Sequence, residues 1–142
     1  PVVLVLFGDH KPWMGNGGSV YEEMGIDFDT STLAGFRNYY ATPYLIWANR
    51  AAKEVLGADF TGDSGDFSPC FLMTRLFDAC GWAGPGYMQL SRAMRDISPL
   101  LHTNGLFLHD GVLTSVLSDT DRSFYRSWLA VQYYREHVAA YS

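Results

Sequence analysis

The chain has 142 residues, 48% of them hydrophobic and 15% aromatic, and its 10 Lys+Arg against 15 Asp+Glu give a formal net charge of −5. That content suits a packed core and excludes a disordered chain. The acidic balance excludes a basic phosphate-backbone interface, so nucleic acid is not an expected partner, and no apolar run reaches the ~18 residues of a membrane span.

The first element is an apolar run, Val2–Phe7, closed by Gly8 and followed by Asp9 and His10. A continuous apolar run bounded by glycine reads as a fully buried strand of a parallel sheet. A buried strand at the very start of the chain reads as the start of a piece of a longer polypeptide. Residues 11–18 are dense in Gly and Pro and form an expected loop at the strand's carboxyl end. Ser19 is placed to cap a short helix through Met24, which Gly25 ends. Asp29-Thr30-Ser31 precedes a helical stretch from Leu33 to Tyr40.

A second strand is expected over Thr42–Ala48, with Pro43 only at its start. Residues 51–56 form a short helix or turn, and residues 57–65 an acidic, Gly-containing loop. Ser68 then caps a strong helix with Pro69 in its first turn. Phe71, Leu72, Leu76, Phe77 and Cys80 keep helical spacing up to Gly81. A third helix covers Tyr87–Asp96. Asp110-Gly111 between Leu106–Leu108 and Val112–Thr114 is a hairpin signature. Asp119 or Thr120 caps a last helix through Phe124, Trp128, Leu129, Val131, Tyr134 and Val138. No repeat or linker interrupts the chain, which reads as one compact piece.

Asp9-His10 is the sharpest chemical signal. Ionised Asp and neutral His both ligate divalent metals, and open α/β sheets place ligands beyond the carboxyl ends of their strands. The plainer alternative is an Asp that accepts turn hydrogen bonds beside a satisfied His. Lys11 and Trp13 follow in the loop: Lys11 is placed to neutralise a phosphate and Trp13 to stack on a sugar or glycerol chain, against a solvated Lys and a half-buried Trp.

Other candidates have stronger plain readings. Cys70 has Pro69 and Arg75 nearby but no neighbouring His to activate it, so it reads as an inert thiol. On one helix, Cys70 and Cys80 lie roughly 15 Å apart, too far for the ~7 Å of a disulfide. His102 and His109 suit turn edges better than a second ligand pair, and His137 a solvated helix face. Asp59, Asp63 and Asp66 lack the order of a calcium loop. No nucleotide-binding Gly loop is present.

Together, Phe7-Gly8-Asp9-His10 after a strand, Thr42-Pro43-Tyr44-Leu45-Ile46-Trp47-Ala48-Asn49, the helix from Ser68-Pro69-Cys70-Phe71-Leu72-Met73 to Asp78-Ala79-Cys80-Gly81, and Gln132-Tyr133-Tyr134 resemble the later part of lipoteichoic acid synthase-like sulfatases, of the alkaline phosphatase superfamily. The resemblance spans nearly the whole chain, in order. It implies an α/β fold with parallel strands, flanking helices, a small hairpin and a long C-terminal helix. It also implies a phosphoglycerol transferase with a Thr nucleophile and a divalent ion, Mn²⁺ or Mg²⁺ with Zn²⁺ as an alternative, acting on cell-envelope polymers or lipids.

In that reading Asp9 and His10 are two metal ligands, and Lys11 and Trp13 contact substrate. The nucleophile, a Glu ligand and the membrane anchor are expected upstream, so the partner of this chain is the earlier part of the same polypeptide, at the extracellular face of the bacterial membrane. Alone, the chain is expected to be inactive and to self-associate. The alternatives are a phosphoethanolamine transferase, phosphodiesterase or sulfatase with the same ligands, or a non-catalytic binding module using Trp13, Trp82, Tyr133 and Tyr134.

Overall fold

The computed structural model describes residues 1–138. The chain is mixed α/β, with two small antiparallel sheets and a long C-terminal helix. It divides into two compact units, Pro1–Phe60 and Thr61–Ser142, where the sequence suggested one piece. The boundary falls inside the expected acidic loop.

In the first unit, β1 (Val3–Phe7) is followed by α1 (Ser19–Glu23), α2 (Leu33–Tyr40), β2 (Tyr44–Ala48) and α3 (Arg50–Leu56). β1 pairs with β2 antiparallel, from Val3 opposite Ala48 to Phe7 opposite Tyr44. The expected parallel sheet is therefore corrected. An apolar run reports that a strand has two apolar faces, but it says nothing of strand direction, and the helical connection through α1 and α2 is long enough for either.

Full burial is corrected as well. Leu4, Leu6, Leu45 and Trp47 share one face through the pairs Leu4–Trp47 and Leu6–Leu45, and they are 43, 52, 50 and 46% exposed. Asn49 closes the far end of this sheet. Its Oδ1 accepts from Val2 N–H at 3.0 Å and from Ala52 N–H at 2.9 Å, so one side chain fastens β1 and caps α3.

Between the strands, Asp29 Oδ1 accepts from Ser31 N–H and Oγ–H, and those bonds hold its carboxyl below the usual range. Thr32 caps α2 through Gly35 N–H at 3.0 Å. The capping loop lies so close to the helix that a Cβ on Gly35 would stand 2.1 Å from the Asp29 carbonyl oxygen. Only glycine fits there. α1 differs from expectation: its N-cap is Gly18 at φ 82°, and Ser19 is its first helical residue.

The second unit runs through a 3₁₀ turn (Pro69–Phe71), α4 (Leu72–Ala79), α5 (Gly86–Ile97), β3 (Leu101–His102), β4 (Leu106–His109), β5 (Val112–Thr114) and α6 (Asp119–His137). The expected hairpin forms, with Phe107 opposite Thr114 and His109 opposite Val112. Asp110 and Gly111 take φ of 49° and 77°, the pair of positive values that a two-residue hairpin turn needs. β3 adds a third strand, too short to leave a sequence signal.

Two caps work differently from expectation. Ser68 does precede Pro69, but its hydroxyl donates to Leu101 O and accepts from Leu101 N–H, tying the turn to β3 in place of capping. α6 is capped by Ser118, which accepts from Asp121 N–H, not by Asp119 or Thr120. The core of this unit is Phe71, Met94 and Trp128, with Phe67, Leu90, Ile97, Leu101, Phe124 and Tyr125 packed around it.

Candidate functional site

Gly8 is where the first sheet ends and the site begins. Its N–H donates to Pro43 O at 3.0 Å, and Thr42 Oγ1 donates to its carbonyl at 2.6 Å. A Cβ on Gly8 would lie 3.0 Å from Thr42 Cβ, so the glycine permits this close approach. The backbone is thus pinned immediately before Asp9. Because β2 runs antiparallel, it is the amino end of β2, not a parallel neighbour's carboxyl end, that flanks the pair.

Asp9 Oδ1 accepts from His10 N–H at 2.9 Å, and His10 Nδ1 lies 3.0 Å from Lys11 O. A carbonyl only accepts, so in the neutral ring this contact puts the proton on Nδ1 and the lone pair on Nε2. Nε2 in turn lies 3.7 Å from Asp9 Oδ2, with both side chains about four-fifths exposed. Two ligand atoms each ~2.1 Å from one ion lie roughly 3–3.5 Å apart, so the 3.7 Å separation is close to that of two ligands on one divalent ion. The Lys11 carbonyl supplies the acceptor that a metal-binding His requires on its other nitrogen. Among the described residues, no group of three or more His, Cys, Asp or Glu side chains gathers around an ion-sized space.

Lys11 and Trp13 join the pair in one pocket of about 240 Å³, whose remaining wall is Tyr21, Phe28, Tyr39 and Tyr40. Lys11 Nζ donates to Asn38 O on α2 and stands 6.0 Å above the Phe28 ring. Trp13 meets Tyr39 edge-on at 5.9 Å, and Phe28 meets Tyr39 at 5.5 Å. The four wall aromatics were not singled out from sequence. Their only trace there is aromatic density between residues 21 and 40, which packing explains equally well.

The other candidates are kept apart or occupied. His102 lies opposite Leu106 at the start of β4 and His109 at its end, about 10 Å along the strand, so they form no ligand pair. His109 Nδ1 is bonded to Ile97 O, and that bond and then Asp110 raise its pKa. Cys70 is exposed as a residue, yet protein packed round its sulfur pushes the thiol up to about 11, which leaves no thiolate at neutral pH. Cys80 is buried, and burial raises its pKa too; both cysteines are free. His137 is exposed and packs on Tyr133. Asp63 turns back on Gly65 N–H in the acidic loop, and Asp59 and Asp66 are exposed there.

No helix among the described residues is long and apolar enough to cross a membrane. Compared with family models, curated proteins and solved structures, the chain finds no match in any of the three.

Proposed function

We propose that the chain is the C-terminal part of an alkaline-phosphatase-like catalytic domain, belonging to a metal-dependent phosphoglycerol transferase or sulfatase-like enzyme of the bacterial cell envelope. The observation that carries this reading is the Asp9–His10 pair: adjacent, exposed, and with His10 Nε2 turned toward Asp9 Oδ2 by the Nδ1–Lys11 bond. A divalent ion held there (Mn²⁺, Mg²⁺ or Zn²⁺) would supply charge to polarise a phosphoryl or sulfuryl oxygen. Asp9 contributes negative charge to the ion and His10 a neutral, oriented nitrogen. Lys11 brings a cation to the same pocket, for the ester's anionic oxygens. The nucleophile and remaining ligands belong to the upstream part of the polypeptide, at the extracellular face of the membrane.

The half-exposed face of Leu4, Leu6, Leu45 and Trp47 supports a larger domain in which that upstream part covers the sheet. Without it, the chain is expected to self-associate through this face and its open strand edges. Light scattering showing a monomer at high concentration would count against the larger domain.

The direct test is phosphoglycerol transfer by the native polypeptide purified from expressing cells. Asp9→Ala and His10→Ala are each expected to lower transfer by at least about 100-fold, beyond the 10–100-fold that losing an outer-shell partner costs. Unchanged activity removes the metal role. Turnover of a sulfate ester but no phosphodiester moves the reading to a sulfatase.

A second reading rests on the exposed aromatics. Trp13, Trp82, Tyr133 and Tyr134 are 56, 47, 63 and 55% exposed, which suits a non-catalytic module that binds glycan or protein. A native polypeptide with the mass of this chain alone would favour it.

A further inference from the structure

We infer that Thr42 is a positioning residue for the Asp9–His10 pair: its hydroxyl replaces a hydrogen bond that Pro43 cannot make, and so carries the β1–β2 ladder up to the residue before the two ligands. Its consequence for the chemistry rests on the metal-site reading proposed above.

The strands pair from Val3 opposite Ala48 to Phe7 opposite Tyr44, and one residue further in the same register Gly8 stands opposite Pro43. In a hydrogen-bonded pair of antiparallel strands, two opposed residues exchange two bonds, each N–H donating to the other's carbonyl. Gly8 N–H donates to Pro43 O at 3.0 Å, but proline has no N–H to return. The Thr42 hydroxyl takes that place, with Oγ1 donating to the Gly8 carbonyl at 2.6 Å. The last rung before Asp9 is therefore closed by a side chain.

Thr42 is itself held. α2 ends with Ala41 N–H on Arg37 O at 2.8 Å, and Ala41 turns extended at φ −71° and ψ 136°. A residue before proline is confined to extended conformations, which restricts Thr42 as well. The far side of the pair is tied to the same corner: Asn38 O, among the four carbonyls that end α2 without a helical partner, accepts from Lys11 Nζ.

Asp9 and His10 are thus the two residues between an anchor at Gly8 and an anchor at Lys11, both made by residues 38–43. Their side chains are about four-fifths exposed, so the backbone on either side holds them where packing does not. Ligands of a working site must be kept within about 0.5 Å of their geometry.

The test uses three variants of the native polypeptide. Thr42→Val removes the hydroxyl and keeps the shape, and Thr42→Ser keeps the hydroxyl. Thr42→Ala serves if the valine variant does not fold, since Thr42 is only half-buried. Amide hydrogen exchange is read by mass spectrometry on the peptide carrying residues 8–11, and Mn²⁺ binding by electron paramagnetic resonance. In Thr42→Val, exchange in that peptide is expected to quicken ~3- to 10-fold, what one hydrogen bond is worth, with no change elsewhere in residues 1–60. Mn²⁺ should bind about 10-fold more weakly, the lower end of what losing an outer-shell partner costs. Thr42→Ser should restore both.

Mn²⁺ binding that Asp9→Ala abolishes but Thr42→Val and Thr42→Ala leave untouched would overturn the positioning role and leave the metal reading standing. Exchange that quickens throughout residues 1–60, or that serine fails to restore, would also overturn it. Faster exchange confined to residues 8–11, in a polypeptide that binds no Mn²⁺, would uphold the hold of Thr42 on the pair and sink the metal-enzyme reading.

Discussion

Trp128→Ala is expected to lower the stability of the Thr61–Ser142 unit by about 3–5 kcal/mol, the usual cost of emptying a buried aromatic site. Trp128 is 2% exposed at the centre of the core, with its ring 5.8 Å from Phe71 and stacked at 6.3 Å on Tyr125. Its indole N–H donates to Ser91 Oγ at 3.0 Å, and Ser91 is itself 1% exposed. The substitution therefore removes a large apolar volume and takes a buried hydroxyl's partner away in the same step.

In a domain of this size the loss corresponds to a fall in Tm of roughly 4–8 °C per kcal/mol. Trp128→Phe separates the two contributions: it keeps most of the packing and strands Ser91, for an expected 1–3 kcal/mol. Adding Ser91→Ala to it should recover part of that loss, because no unpaired hydroxyl remains. The other three tryptophans, Trp13, Trp47 and Trp82, are about half exposed, so loss of the blue-shifted fluorescence component would report on Trp128 directly. A Trp128→Ala variant that melts within ~2 °C of the parent, well under the shift for 1 kcal/mol, would show that this core is not what holds the unit together.

Asp78→Ala should be the second most damaging change. One carboxylate bridges two guanidiniums: Asp78 Oδ1 accepts from Arg92 Nε at 2.6 Å and Oδ2 from Arg95 Nη1 at 2.7 Å. Arg95 is only 7% exposed, and it also donates to the buried Thr74 hydroxyl at 2.8 Å. Arg92 reaches past Asp78 to the Trp82 and Ala83 carbonyls, which follow α4.

Removing Asp78 leaves the buried Arg95 charge, among the described residues, with the neutral Thr74 hydroxyl and the longer, 3.6 Å contact to Asp96. Breaking a buried pair from one side costs about 3–5 kcal/mol. Asp78 is itself a third exposed, so about 2–4 kcal/mol is expected. Asp78→Asn keeps the shape and one acceptor and should cost roughly half as much. Equal melting temperatures for wild type, Asn and Ala variants in chemical denaturation and calorimetry would reduce the bridge to a surface pair.

Much of the local structure was legible because it depends on near neighbours. The Asp110-Gly111 turn requires two positive φ values, and the residues that accept them are in the sequence. The apolar spacing from Phe71 to Cys80 marks a helix whichever way it later packs. The caps were less legible. Ser19, Ser68 and Asp119 are all residues that cap helices, but Ser68 spends its hydroxyl on β3, some 33 residues away in sequence, and Ser118 takes the place of Asp119. A hydroxyl goes to whichever unsatisfied backbone group the fold brings nearest, and that is not a local property.

The sequence by itself determined that residues 9 and 10 would be a carboxylate and an imidazole leaving the end of a strand, because adjacency is covalent and the glycine before them ends the apolar run. It also determined where the chain would turn and which stretches would be helical. Only the tertiary structure decided that β1 pairs antiparallel with β2, since an apolar strand has no preference of direction until its partner is in place. It alone decided that His10 points Nε2 at Asp9, through the Lys11 carbonyl, and that Trp13 shares a pocket with side chains from α1 and α2. Those facts depend on how distant segments fill one another's space, and no periodicity within a segment encodes that.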